Sequence, residues 1–217
     1  CYAEDQLMNQ GGLAAFGGDP WEGIRWFKRL LELHPDSAYG NYQIALLYNQ
    51  TGRSDLAVEH LKRTIEIKED FSDAWLRLVD IHKRKANHAE AERVFYTGFM
   101  KCPNSPAYNV EYAERLAEEG NHRKAITYVE KAIDLNPNEA DPRIVLAMQY
   151  FALDQVDEGV DVLEGALEVE PGNPTAIITL GYHAIASGNQ ERADEWMGKI
   201  REHPRIPSAT KMELRLK

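Results

Sequence analysis

A period of 34 residues constrains this chain more than any other feature. Pro35, Pro103, Pro137 and Pro171 stand at multiples of 34 from one another, with Glu69 in the vacant slot. Small residues keep the same interval at Gly23, Ala57, Ala91, Ala125, Gly159 and Ala193. A second small series, Gly11, Ala45, Ala113, Ala147 and Gly181, is broken only by Val79. Large apolar residues form a third at Phe27, Leu61, Phe95, Val129, Leu163 and Met197. A fixed period of this size marks stacked supersecondary units. Six units run from Glu4 to Pro207, with Pro204 one residue early in the last.

Each unit reads as two helices. Ile44, Ala45 and Tyr48 lie on one apolar stripe, and Ala57, Leu61 and Ile65 on the next, separated by Thr51-Gly52-Arg53. Asp19-Pro20, Ser105-Pro106, Asp141-Pro142 and Asn173-Pro174 each place a capping side chain before a proline at the first helical position. Gly18, Gly52, Gly120 and Gly188 recur between paired helices, where a left-handed residue ends the first helix. Asp154 replaces that glycine in the fifth unit and predicts a less comfortable turn. A pair of helices cannot bury its apolar stripes alone, so stability has to come from stacking on neighbouring pairs.

These positions resemble the tetratricopeptide repeat family. The third unit carries Trp75, Leu78, Val79, His82, Ala91, Phe95 and Pro103 at the places of that pattern, and the sixth carries Leu180-Gly181, Ala193 and Met197. The resemblance covers residues 4–207. It implies an all-α, right-handed superhelical solenoid of antiparallel helix pairs, a single domain over 1–217 with six repeats and a capping helix at 208–217. It also implies that the first helices line a concave groove that binds peptides or helices of other proteins. Family members that grip a C-terminal carboxylate use lysine, asparagine and arginine. The matching places here hold Met8, Gly12, Gln43, Asp73 and Arg77, and only Arg77 fits, which argues against that class of partner.

Charge narrows the partners further. Asp and Glu number 35 against 25 Lys and Arg, for a net charge of −10. Nucleic acid and anionic membranes would repel such a surface. No segment approaches the roughly 18 consecutive apolar residues of a membrane span. Two cysteines, Cys1 and Cys102, cannot build a disulfide framework or a four-ligand zinc site. Cys102 reads as an ordinary thiol. Cys1 fits the lipid-bearing first residue of a mature bacterial lipoprotein, which would place the chain in the periplasm and anchor it to a membrane. The alternative is a cytoplasmic chain whose first residue carries no such meaning. A start without methionine and an end within a helix point to a segment of a longer or processed protein.

Chemistry is absent from the motifs. There is no G-x-S-x-G, no H-E-x-x-H and no phosphate-binding glycine loop, so no catalytic, cofactor-binding or metal site is assigned. His88 and His122 share one turn position and read as surface residues. His82 takes a tyrosine slot and reads as packed and hydrogen-bonded.

The register turns three groups toward the groove. The N-terminal third gives Met8, Tyr39, Tyr42, Leu46 and Asn49. The middle gives Arg77, Asp80, Lys83 and Arg84 from one helix, then Glu111, Glu114 and Glu118 from the next. The C-terminal third gives Ile144, Met148, Phe151, Ile178, Tyr182 and Ile185. The leading expectation is a non-catalytic scaffold that binds a protein or peptide segment in this groove. The alternatives are a self-assembling module, with a second copy as the occupant, and a regulatory or substrate-recruiting arm of a larger enzyme.

Overall fold

The computed structural model describes residues 2–208 and 210. Cys1 and most of the expected capping helix at 208–217 lie outside the described residues. Two compact units divide the chain, 1–103 and 104–217. The first holds α1 (Tyr2–Phe16), α2 (Pro20–Leu33), α3 (Ala38–Gln50), α4 (Ser54–Ile67), α5 (Ser72–Arg84) and α6 (His88–Lys101). The second holds α7 (Pro106–Glu118), α8 (His122–Leu135), α9 (Asp141–Ala152), α10 (Val156–Val169), α11 (Pro174–Ala186) and α12 (Gln190–Glu202). Among the described residues there is no strand. Within each unit every helix packs on the next in chain order, as expected of stacked helix pairs.

The start signals act largely as the sequence predicts. The Asp19 carboxylate accepts from the backbone N–H groups of Trp21 and Glu22 at 3.0 and 2.9 Å. Ser105 caps through Tyr108 N–H, and Asn173 through Thr175 and Ala176 N–H. Asp141 is a correction. Ala140 already has helical dihedrals (φ −81°, ψ −35°) and is the cap, without a side-chain bond. Asp141 therefore sits inside the first turn, where its charge faces the positive end of the helix dipole.

The turns between paired helices repeat one geometry. Gly18, Gly52, Gly120 and Gly188 have φ between 70° and 88°. The same slot is filled by Ala86 at φ 56° and Asp154 at φ 62°. The turns at Gly18, Gly52, Ala86, Gly120 and Asp154 close by a bond from five residues on, as in Arg53 N–H to Tyr48 O at 2.8 Å and Asn87 N–H to His82 O at 2.9 Å. Aspartate tolerates the left-handed region better than alanine. Ala86→Gly is therefore expected to stabilise the chain by about 1 kcal/mol, read as a higher urea midpoint. An unchanged or lower midpoint would contradict this.

The three periodic series are the core. Phe27, Leu61, Phe95, Val129 and Leu163 are at most 1% exposed, and Ala91 and Ala125 are equally buried. The sixth unit departs: Trp196 and Ile200 go inside, while Met197 packs against that cluster from its rim. Cys102 is buried, and desolvation pushes its thiol up to about 11, leaving it unreactive at neutral pH.

His82 differs from its expectation. Its ring is packed, but both nitrogens are buried without a hydrogen-bond partner. The carboxylate whose charge reaches it, Glu90, is already held by Arg93 through bonds of 2.8 and 2.6 Å. Unsatisfied buried polar atoms cost about 1–3 kcal/mol. His82→Phe is expected to raise Tm by roughly 2–4 °C for each kcal/mol recovered; a lower Tm would mean that the imidazole is satisfied.

Candidate functional site

In the first unit, the predicted residues of α3 and α5 meet side by side. The Tyr42 ring packs on Phe71 at 4.9 Å, and its hydroxyl oxygen accepts from Arg77. Burial raises the Tyr42 pKa, and the Arg77 bond partly offsets the rise. About two helical turns further along, Arg84 donates to Asn49 Oδ1 at 2.9 Å and pairs with Asp80 at 3.0 Å. These exposed pairs stabilise little, about 0–1 kcal/mol each. Their effect is to hold two guanidinium groups at fixed heights on the α5 surface. Tyr39 is 46% exposed, Met8, Leu46 and Asn49 are half-buried, and Tyr42 is buried apart from its rim.

In the second unit, α7 presents Glu114 and Glu118 as exposed residues, and Glu111 lies 3.6 Å from the half-buried Arg115 of its own helix. Met148 on α9 is 41% exposed. Phe151 stacks on His183 of α11 with ring centroids 3.8 Å apart, which sets the C-terminal halves of α9 and α11 next to each other. Phe151, Ile178, Tyr182 and Ile185 are half-buried against the core cluster, and Ile144 is inside it. The apolar wall is thus partly core, with Met148 its most exposed member.

One polar series was not singled out from the sequence. Leu47, Ile81, Arg115, Gln149 and His183 occupy equivalent places at 34-residue spacing. The position is aliphatic and buried at Leu47 and Ile81 in the first unit and polar in the second. Gln149 donates to Val145 O and bonds the ring of His122 at 3.0 Å, so His122 is half-buried rather than a surface residue. The change of residue type along the period was the signal available.

His60 and His183 both have pKa values lowered by burial. The unfolded chain, with its histidines near 6.5, takes up these protons first. Neither ring affects stability well above that pH. Both cost stability as pH falls from about 6.5 toward their folded values. The lowered carboxylates Asp55, Glu90 and Glu170 titrate below this window. The urea midpoint is expected to fall between pH 7.5 and 5.5, and to fall less in His60→Asn/His183→Asn. Equal slopes in both chains would contradict the assignment.

Among the described residues, no group of three or more His, Cys, Asp or Glu side chains could hold a metal ion, and no helix is long and apolar enough to cross a membrane. Two tetratricopeptide repeat models match the chain, at residues 38–71 and 116–166. BBSome complex member bbs-4 of Caenorhabditis elegans is 26% identical over 184 residues, covering 79% of this chain and 39% of its own length. Across the matched relatives, the chain spans between 12% and 42% of their length. Among solved structures, PilF of Pseudomonas aeruginosa superposes with a TM-score of 0.75 at 14% identity, covering 99% of this chain and 97% of that one. YrrB, a TPR protein with an unusual peptide-binding site, gives 0.60 at 18% identity, covering 88% and 98%. At these identities the structures speak to the fold, a solenoid of antiparallel helix pairs. The period, the paired helices with their left-handed turns and the two family models agree that the chain carries tetratricopeptide repeats.

Proposed function

We propose that the chain is a protein-interaction scaffold whose first helices hold an extended or helical segment of a partner protein. The repeat family and its peptide-binding members support the scaffold role in general. Met148 supports the finer reading. It is a large apolar side chain, 41% exposed, on a helix whose other large apolar residues are drawn toward the core. A flexible thioether suits an adaptable contact with a partner helix. Tyr182, the equivalent residue one repeat on, joins a broad ring to a polar tip, and aromatic anchors of this kind dominate interface energetics. On the first unit, Arg77 and Arg84 are held in place by Tyr42, Asn49 and Asp80 and offer charge-assisted bonds to the carbonyls of a ligand backbone. The role requires no catalytic step.

The test begins with a peptide selected on the full chain from a random library. Met148→Ser/Tyr182→Ser is expected to weaken its binding by about tenfold or more, the scale of one lost anchor, with helical content unchanged by circular dichroism. Sedimentation over a concentration series distinguishes a second copy as the occupant. Unchanged peptide affinity in the folded double variant would reject the first-helix face of the second unit as the binding surface.

A further inference from the structure

The second unit holds a cavity of about 420 Å³ between the N-terminal half of α10, the C-terminal half of α11 and the N-terminal half of α12. Its size falls in the range of ligand sites, about 300–1,000 Å³. It involves two second helices, α10 and α12, and so lies apart from the face proposed above. Val156, Val160, Leu180 and Trp196 form its apolar walls. Val156 is 39% exposed.

The charges of the cavity do not balance. Arg192 lines it, but its guanidinium is paired with Glu164. His183 also lines it; one face is stacked on Phe151, and burial favours the neutral ring. Lys199 covers the Trp196 ring from 3.8 Å and pairs with Glu195 at 2.7 Å. Asp157 and Asp161 remain. They stand one helical turn apart on α10, both line the cavity, and neither has a hydrogen bond or ion pair among the described residues. Two exposed carboxylates without an ion-pair partner thus border a hollow of mixed polar and apolar lining that is large enough for one long side chain.

We infer that this cavity receives an arginine side chain of a partner polypeptide. The aliphatic stem lies along Val156, Val160 and Leu180, as the stems of long cationic side chains do on apolar surface. The guanidinium reaches Asp157 and Asp161. Arginine suits the site better than lysine. Its planar fork carries five donors, enough to bond both carboxylates at once, and it is less strongly hydrated than an ammonium group. The neutral His183 ring adds no repulsion.

The probe is N-acetyl-arginine methylamide, titrated into the full chain and followed by NMR. Saturable shifts are expected at the Trp196 indole N–H and at the methyl groups of Val160 and Leu180. Asp157→Asn/Asp161→Asn keeps the side-chain shapes and is expected to weaken binding by about tenfold or more, the scale of a lost charge-assisted bond. The citrulline analogue, equal in shape and uncharged, is expected to bind no better to the native chain than the arginine probe binds to the double variant. Met148→Ser is expected to leave the titration unchanged, so failure here and failure of the first-helix proposal are separable. Absence of saturable shifts at these groups, equal binding of the citrulline analogue, or full affinity in a folded double variant would each overturn the inference.

Discussion

Phe95→Ala is expected to cost about 3–5 kcal/mol and to show as a lower urea midpoint. Phe95 is wholly buried, and its ring stacks on Phe99 at 6.4 Å and meets Tyr96 edge-on at 5.4 Å. It stands in the periodic slot that fills the seam between helix pairs. Nearby, Ala91 is already as small as the seam allows and cannot expand into the vacancy. In a stack held by nearest-neighbour contacts, loss of one seam weakens the whole first unit. A cost below about 1 kcal/mol would mean that the cavity collapses freely, and that these pairs are not close-packed.

Gly159→Ala carries the second large effect, and its sign runs against helix propensity. Alanine is favoured over glycine within a helix by up to about 1 kcal/mol. A Cβ at Gly159, however, would stand 2.4 and 2.6 Å from two atoms of the Phe151 ring. That ring cannot easily retreat, because His183 is stacked on it at 3.8 Å. Overpacking of this kind costs about 1–3 kcal/mol, so net destabilisation is expected. Gly165 lies on the same helix with nothing within 4 Å of its would-be Cβ. Gly165→Ala should therefore stabilise by about 0.5–1 kcal/mol. Opposite signs from one substitution type on one helix make the comparison sharp. Two stabilising outcomes would remove Phe151 as the reason for Gly159, and Phe151→Leu in the Gly159→Ala background should restore part of the loss.

The fold was legible because the sequence repeats itself at the level of physical need. Small residues recur where helices approach, bulky ones where pairs meet, and glycine where the backbone turns left-handed. Even Asp154 and Ala86 keep the turn geometry without glycine, since the two helices on either side dictate it. Single contacts were less legible. His82 falls in a tyrosine slot, but only its surroundings reveal that the nearby Glu90 carboxylate is already taken by Arg93. Asp141 carries the same cap-then-proline signal as Ser105, yet Ala140 adopts helical dihedrals first.

The candidate surface was half legible. Tyr39 and Met148 are exposed where the register places them, whereas Tyr42 and Ile144 sink into the core beside them. A period of 34 fixes which helix face a residue occupies, but not how deep a tyrosine or isoleucine settles between neighbours. The cavity beside α10 could not be read at all. Its lining comes from three helices, and its charge balance depends on the pairing of Arg192 with Glu164.

Backbone NMR shift mapping of a bound, selected peptide on the full chain tests the scaffold reading most directly. The largest changes are expected on the first-helix faces: around Tyr39, Asn49, Arg77 and Arg84 in the first unit, around Met148, Ile178 and Tyr182 in the second, or on both. Met100, an exposed apolar residue of a second helix, should stay unshifted. Changes confined to the second helices, with the first-helix faces silent, would contradict the scaffold reading as drawn.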